Sequence, residues 1–333
     1  MQKGEFMNQT ILKQLLTEYE QTRLQNIKDL DNRKKEIYSK NPRLEEIEKE
    51  LNLASISIAK SALLKNTSTE NLEDKIVKLK NEKNQLLKQL GIDSSYLSIQ
   101  YKCLFCKDTG YVFHNSQTTM CKCLKQKIFN EEYNKANIGN LSKDTFENFN
   151  VKLFSNEVNN AKYGSNISPR ENMEDIKKSC LKFVENFDDP NKKNLLFSGS
   201  TGLGKTYLSN SIVSKVLEQG YTVLYQTAPV MLDTLISKLF KNDSSFSENL
   251  LNVDLLVIDD LGTETMNSMK FTELYKIINT RLLNQNGKIT KTIISTNLDL
   301  QGLYHTYDER LVSRFIGHYD IYRFFGDDIR FKI

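Results

Sequence analysis

Apolar positions recur at helical spacing through the first ninety residues, set in a strongly charged background. Ile11, Leu15, Leu16 and Tyr19 share one face, and Ile27, Leu30 and Ile37 continue a looser stripe. Pro42 interrupts the pattern, and Leu44, Ile47 and Leu51 resume it. The cluster Asn66-Thr67-Ser68-Thr69 breaks it again before Leu72, Ile76, Leu79, Leu86 and Leu87. So regular a stripe needs an apolar mate, which predicts two or three long helices folded back as a hairpin. Gly91 ends this region, and residues 124–137 regain a helical pattern. Residues 138–170, with Gly139, Gly164 and Pro169, read as a linker.

From about residue 171 the rhythm changes. A helix at 172–187 precedes short Val/Ile/Leu-rich runs at 194–198, 221–226, 253–259 and 291–296. Helical patterns separate these runs, notably at 228–240 and 268–284. The alternation predicts an α/β fold, a parallel sheet covered by helices on both faces. The expected organisation is a helical, partner-binding region over 1–92, a cysteine-rich module over 93–137, a linker over 138–170 and the α/β domain over 171–333.

The first strand runs into Gly199-Ser200-Thr201-Gly202-Leu203-Gly204-Lys205-Thr206, which fills every fixed position of G-x-x-x-x-G-K-[ST]. Glycines let the backbone wrap an anion, and the N–H groups of the following helix face it. Lys205 is expected to reach the β- and γ-phosphates of ATP, with the Thr206 hydroxyl on Mg²⁺. The strand at 253–259 ends in Asp259 and Asp260, a costly pair without a cation nearby. Asp259 is expected to hold Mg²⁺ through its water shell, and Asp260 to orient or deprotonate the attacking water, with Glu264 a competitor for that role. Asn297, at the tip of the next strand, is placed to hydrogen-bond the γ-phosphate or the water. Arg310 and Arg314 lie four apart on one helix face, where either could serve a neighbouring subunit's nucleotide or an internal salt bridge.

The 46 basic and 42 acidic residues nearly cancel, leaving a net charge of +4. That excludes a histone-like polycation and permits a local basic groove. No apolar run reaches the ~18–20 residues that cross a bilayer, and the first residues lack a secretory apolar core, so a cytoplasmic protein is expected. Four of the five cysteines, Cys103, Cys106, Cys121 and Cys123, form C-x₂-C followed by C-x-C. In a reducing compartment this pattern points to a metal before disulfides, with a tetrahedral Zn²⁺ and an iron–sulfur cluster both open. His114 is an alternative to one of the last two thiols. Nearby lysines and aromatics, among them Lys102, Lys107, Phe105 and Phe113, suit either single-stranded DNA or a packed metal module. Cys180 falls in the apolar pattern of a helix and reads as core.

With these residues the chain resembles the DnaC/DnaI-type helicase loaders, a branch of the AAA+ ATPases, and is similar to the IstB transposition ATPases. The resemblance is carried by the loop at 199–206, L-L-V-I-D-D-L-G-T-E at 255–264, S-T-N at 295–297 and D-E-R-L-V-S-R-F at 308–315. N-L-L-F-S-G at 194–199 and F-G-D-D-I-R at 325–330 add to it. It implies an AAA+ P-loop ATPase, with Asn297 as sensor 1 and Arg314 as the arginine finger, beside Arg310. Arg330 is a looser candidate for a nucleotide contact. It further implies structural zinc in the N-terminal region, self-association in the ATP state, and the replicative hexameric helicase and single-stranded DNA as partners. The implied activity is ATP-dependent loading of that helicase, with hydrolysis releasing it; the alternative is an IstB-like ATPase that binds DNA and activates a transposase. Asp260 stands where many AAA+ proteins carry Glu, and only 19 residues follow Arg314, which disfavours a DnaA-like initiator.

Overall fold

The computed structural model describes residues 9–63, 70–114, 116–134, 143–283 and 289–332. The Asn66–Thr69 break, residues 135–137 of the expected helix and Gly139 lie outside them. Two compact units emerge, one over Leu16–Thr119 and one that runs from Met120 to the C-terminus and takes in the start of the first helix.

The first unit is helical. α1 (Gln9–Lys40), α2 (Pro42–Leu63) and α3 (Glu70–Gln89) follow one another. Pro42 opens α2 because the first helical position has no N–H obligation to lose. α2 and α3 pack as a hairpin, with Ile37, Leu44, Leu87 and Leu97 in a small buried core. Charge closes its rim: the Arg43 guanidinium meets Glu46, Glu50 and Glu82, and Lys83 reaches Glu48. The unit ends in two short paired strands, β1 (Tyr111–His114) and β2 (Gln117–Met120).

The second unit begins with α4 (Lys122–Phe129), continued by a π turn at Asn130–Asn134, and the short α5 (Asn160–Tyr163). Then come α6 (Pro169–Glu185), β3 (Asn194–Gly199), α7 (Lys205–Glu218), β4 (Val223–Thr227), α8 (Ala228–Phe240) and α9 (Ser245–Asn252). The chain continues through β5 (Leu255–Leu261), α10 (Ser268–Leu283), β6 (Lys291–Thr296), α11 (Leu300–Thr306), α12 (Glu309–His318) and β7 (Tyr319–Phe324). Five strands form one parallel sheet in the order β4-β5-β6-β3-β7. Strand alternation sorts the core into two layers. Leu195, Phe197, Val257 and Ile293 pack on α6 and α7, while Leu196, Leu256, Ile258 and Ile294 pack on α8 to α12. Both faces are thus covered, which is why these strands read as continuous apolar runs. No helix among the described residues is long and apolar enough to cross a membrane.

The described part of the stretch read as a linker packs instead of spanning. Phe146, Phe149 and Phe154 are buried in the same layer as α6 and α7. They belong to no periodic element, so their burial leaves no pattern in the sequence. The exposed edge of β4 is closed by side-chain amides. Gln126 exchanges two bonds with Val223, 3.0 Å to its carbonyl and 2.6 Å from its N–H. Asn134 donates to the same carbonyl at 3.0 Å and accepts the Tyr225 N–H at 2.9 Å. An unpaired strand edge invites foreign pairing, and here the preceding segment blocks it.

Candidate functional site

The glycine-rich loop joins the C-terminal end of β3 to the N-terminus of α7, and β3 lies inside the sheet between β6 and β7. That places the loop in a crevice at the carboxyl ends of the strands. Gly199 has φ +145°, and a Cβ there would stand 2.1 Å from the Phe324 carbonyl oxygen of β7. Gly202 has φ +72°, with the Asp328 carboxylate where its Cβ would be. The C-terminal segment therefore lies against the loop, and the Ile329 N–H donates to the Gly202 carbonyl at 3.0 Å. Leu203 is buried and anchors the loop in the core, while Gly204 leads into α7. Thr201 and the loop's last residues line an open cavity of about 350 Å³ with Tyr207, Asp260, Asn297, Ile329 and Arg330.

Lys205 is buried at the base of this cavity. Its ammonium donates to the carbonyls of Gly199 (2.5 Å) and Ser200 (2.8 Å) and to Asn297 Oδ1 (2.8 Å). Burial lowers its pKa, and the nearby Asp260 and Asp259 work against that shift. Thr206 Oγ1 donates to Asp259 Oδ2 at 3.1 Å, so a hydroxyl and a carboxylate meet where the loop faces β5. Hard oxygen donors in this arrangement fit Mg²⁺, and a helix N-terminus beside a buried lysine fits a polyphosphate.

β5 is not a regular strand at its tip. Ile258 pairs with Ile294 and Leu261 with Thr296, so Asp259 and Asp260 together oppose Ser295. This β-bulge, with Asp260 at φ +55°, re-aims the side chains. Asp259 turns inward to Thr206, and Asp260 faces the cavity instead of the opposite side of the sheet. Burial and the adjacent Asp259 raise the Asp260 pKa, and Lys205 offsets part of this. Glu264 is otherwise engaged: it accepts the Gly262 N–H at 2.9 Å and the Tyr307 hydroxyl, and it does not line the cavity.

Arg310 and Arg314 both lie on α12, outside the cavity lining. Arg310 is bound to Asp308 at 2.9 Å and stands over the Tyr275 ring. Arg314 is half-buried and takes no part in the Asp308 pair. Arg330 lines the cavity and forks onto Asp328.

The four thiols of Cys103, Cys106, Cys121 and Cys123 lie within 4.8 Å of one another, and this group does not include His114. Four soft ligands at that separation fit a tetrahedral Zn²⁺. The first pair sits on a tight turn with Lys107 and Asp108 in left-handed conformation. The buried Asp108 carboxylate ties the turn together by accepting the N–H groups of Lys102 (2.9 Å) and Cys103 (2.8 Å) and the Asn26 amide (2.8 Å). The second pair opens α4, with the Cys121 carbonyl taking the first helical bonds. Cys180 is buried in the core on α6, and burial raises its thiol pKa.

Two residues around Asp259 escaped the sequence reading. Tyr225 donates to Asp259 Oδ2 at 2.7 Å, Ser295 donates to Oδ1, and the Asp260 N–H donates to Ser295 Oγ at 3.0 Å. Ser295 at least lay in the S-T-N stretch. Tyr225 carried no signal, because only the pairing of β4 with β5 brings it there.

A family model described as IstB-like ATP binding protein matches residues 162–330. The chain is 30% identical over 136 residues to the replicative helicase loader DnaC of Escherichia coli K12, covering 40% of this chain and 53% of that protein. It is 30% identical over 201 residues to the chromosomal replication initiator protein DnaA of Buchnera aphidicola, covering 58% of this chain and 42% of that protein. The chain thus spans about half the length of the curated relatives it matches. A solved structure of the DnaC helicase loader aligns with a TM-score of 0.44 and 23% identity, over 54% of this chain and 98% of that one.

Proposed function

The chain belongs to the IstB-like ATP-binding protein family, and from that premise we propose that it is an AAA+ ATPase that loads a replicative DNA helicase onto single-stranded DNA. The observation that carries the ATPase reading is the convergence of Lys205, Thr206, Asp259, Asp260 and Asn297 around one cavity at the strand ends. The similarity to a protein described as a replicative helicase loader supports the helicase as partner.

In this reading the N-terminus of α7 and Lys205 bind the nucleotide's phosphates. Thr206 and Asp259 hold the magnesium ion, which when bound neutralises charge on the transferring phosphoryl group. Asp260 orients the attacking water and accepts its proton, and Asn297 positions the γ-phosphate. Arg314 acts on a neighbouring subunit's nucleotide, so hydrolysis per chain rises with protein concentration and loosens the assembly as it proceeds. The cysteine cluster holds Zn²⁺ as a structural ion, and the N-terminal helices grip the helicase. Cytoplasmic work on DNA follows from that role.

A loading assay tests the proposal with the full chain, the helicase of the same cell and circular single-stranded DNA. The helicase is expected on the circle only with this chain and Mg–ATP. Similarity to an insertion-sequence ATP-binding protein of Pseudomonas fluorescens, 30% identical over 108 residues, favours a second reading, a transposition ATPase. Stimulation of a transposase with no effect on helicase loading would establish that alternative.

A further inference from the structure

We infer that Tyr225, together with Ser295, is a positioning residue for the Asp259 carboxylate, fixing the orientation in which it serves a magnesium–nucleotide complex. The inference rests on reading this cavity as a nucleotide site.

Asp259 is buried, and so are Tyr225 and Ser295. A buried carboxylate is costly unless hydrogen-bonded, and this one has donors from three elements besides its own: Thr206 on α7, Tyr225 on β4 and Ser295 on β6. A carboxylate has about four acceptor positions, so three hydroxyls leave it little freedom to rotate. The Thr206 proton is directed at Asp259, which leaves that hydroxyl's lone pairs for a cation. Thr206 therefore belongs to the binding machinery, and Tyr225 and Ser295 bear on the cation through the carboxylate, Ser295 also accepting the Asp260 N–H at 3.0 Å.

Tyr225 is the more informative of the two. Its backbone is held by the β4–β5 ladder and by Asn134, and its ring packs in the α6/α7 layer. None of these contacts needs the phenolic oxygen. Removing that one oxygen tests orientation with little change in packing.

The experiment titrates Mg²⁺ against binding of a fluorescent ATP analogue to the full chain, for the wild type, Tyr225→Phe and Ser295→Ala. Loss of an outer hydrogen bond to a metal-holding group typically costs 10–100-fold in metal affinity. Both variants are expected to bind the analogue like the wild type in excess chelator, and to need about 10-fold more Mg²⁺ for the magnesium-dependent increment. Hydrolysis should return toward wild type as Mg²⁺ is raised. A lowered unfolding temperature with an unchanged Mg²⁺ requirement in both variants would reduce the two residues to core packing and overturn the inference alone. A wild type whose nucleotide binding ignores Mg²⁺ would overturn the inference and the reading of the cavity together.

Discussion

The cavity at the strand ends and the cysteine cluster achieve convergence by opposite means. Around the cavity, five paired strands and two apolar layers bring Lys205, Asp259 and Asn297 together from distant parts of the chain. Around the cysteines there are two four-residue strands and a turn, and the side chains of Leu104, Phe105 and Phe113 remain largely exposed. The first site is framed by packing; in the proposed reading the second is framed by the metal its thiols would hold. Ligand removal should therefore leave one standing and dissolve the other.

The largest effect is expected at the cluster. Structural zinc contributes on the order of 10 kcal/mol to small metal-held folds. Chelation, or Cys106→Ser, should release one zinc ion per chain and speed amide hydrogen exchange through residues 101–123. Exchange in β3, β5 and β6 should hardly change. Equal loss of protection in the sheet would break the contrast.

Asp260→Asn sharpens it from the other side. Hydrolysis should fall about 100-fold or more while nucleotide still binds. Because the folded protein raises the Asp260 pKa, the stability contribution is fully present below the ordinary aspartate pKa and is lost as pH rises through the folded value. At neutral pH the carboxylate thus strains the frame, and the amide relieves it. Thermal unfolding of the nucleotide-free variant should move upward at pH 7, with the gain vanishing in acid. A smaller change tests the frame's tightness. Gly199→Ala places a Cβ against the Phe324 carbonyl at a φ few side chains adopt, and should cost about 1–3 kcal/mol in denaturant unfolding.

The same contrast explains how much could be read from the amino acids alone. The strand at 291–296 and the helix at 228–240 have the ends that periodicity indicates, because each is a continuous apolar or amphipathic run. The loop residues are legible as a local motif, and the cysteine pairs as a spacing. β7 was missed, since Tyr319-Asp320-Ile321-Tyr322-Arg323-Phe324 is an edge strand of mixed polarity. The short α9 falls in the gap between the helical pattern at 228–240 and the strand at 253–259, too brief to show a period. The bulge at Asp259–Asp260 depends on a register with β6 that no local pattern records. Tyr225 and the packing of Asp328 on Gly202 are likewise products of tertiary closure. Local chemistry was visible; the contacts that aim it were not.

In the proposed reading a buried ammonium at the loop's base holds the nucleotide. Equilibrium binding of Mg–ATP to the wild type and to Lys205→Ala tests it most directly. Saturable binding is expected of the wild type and at least a 100-fold loss in the variant, about 3 kcal/mol, with the unfolding temperature nearly unchanged. Equal affinity of the two proteins would contradict it.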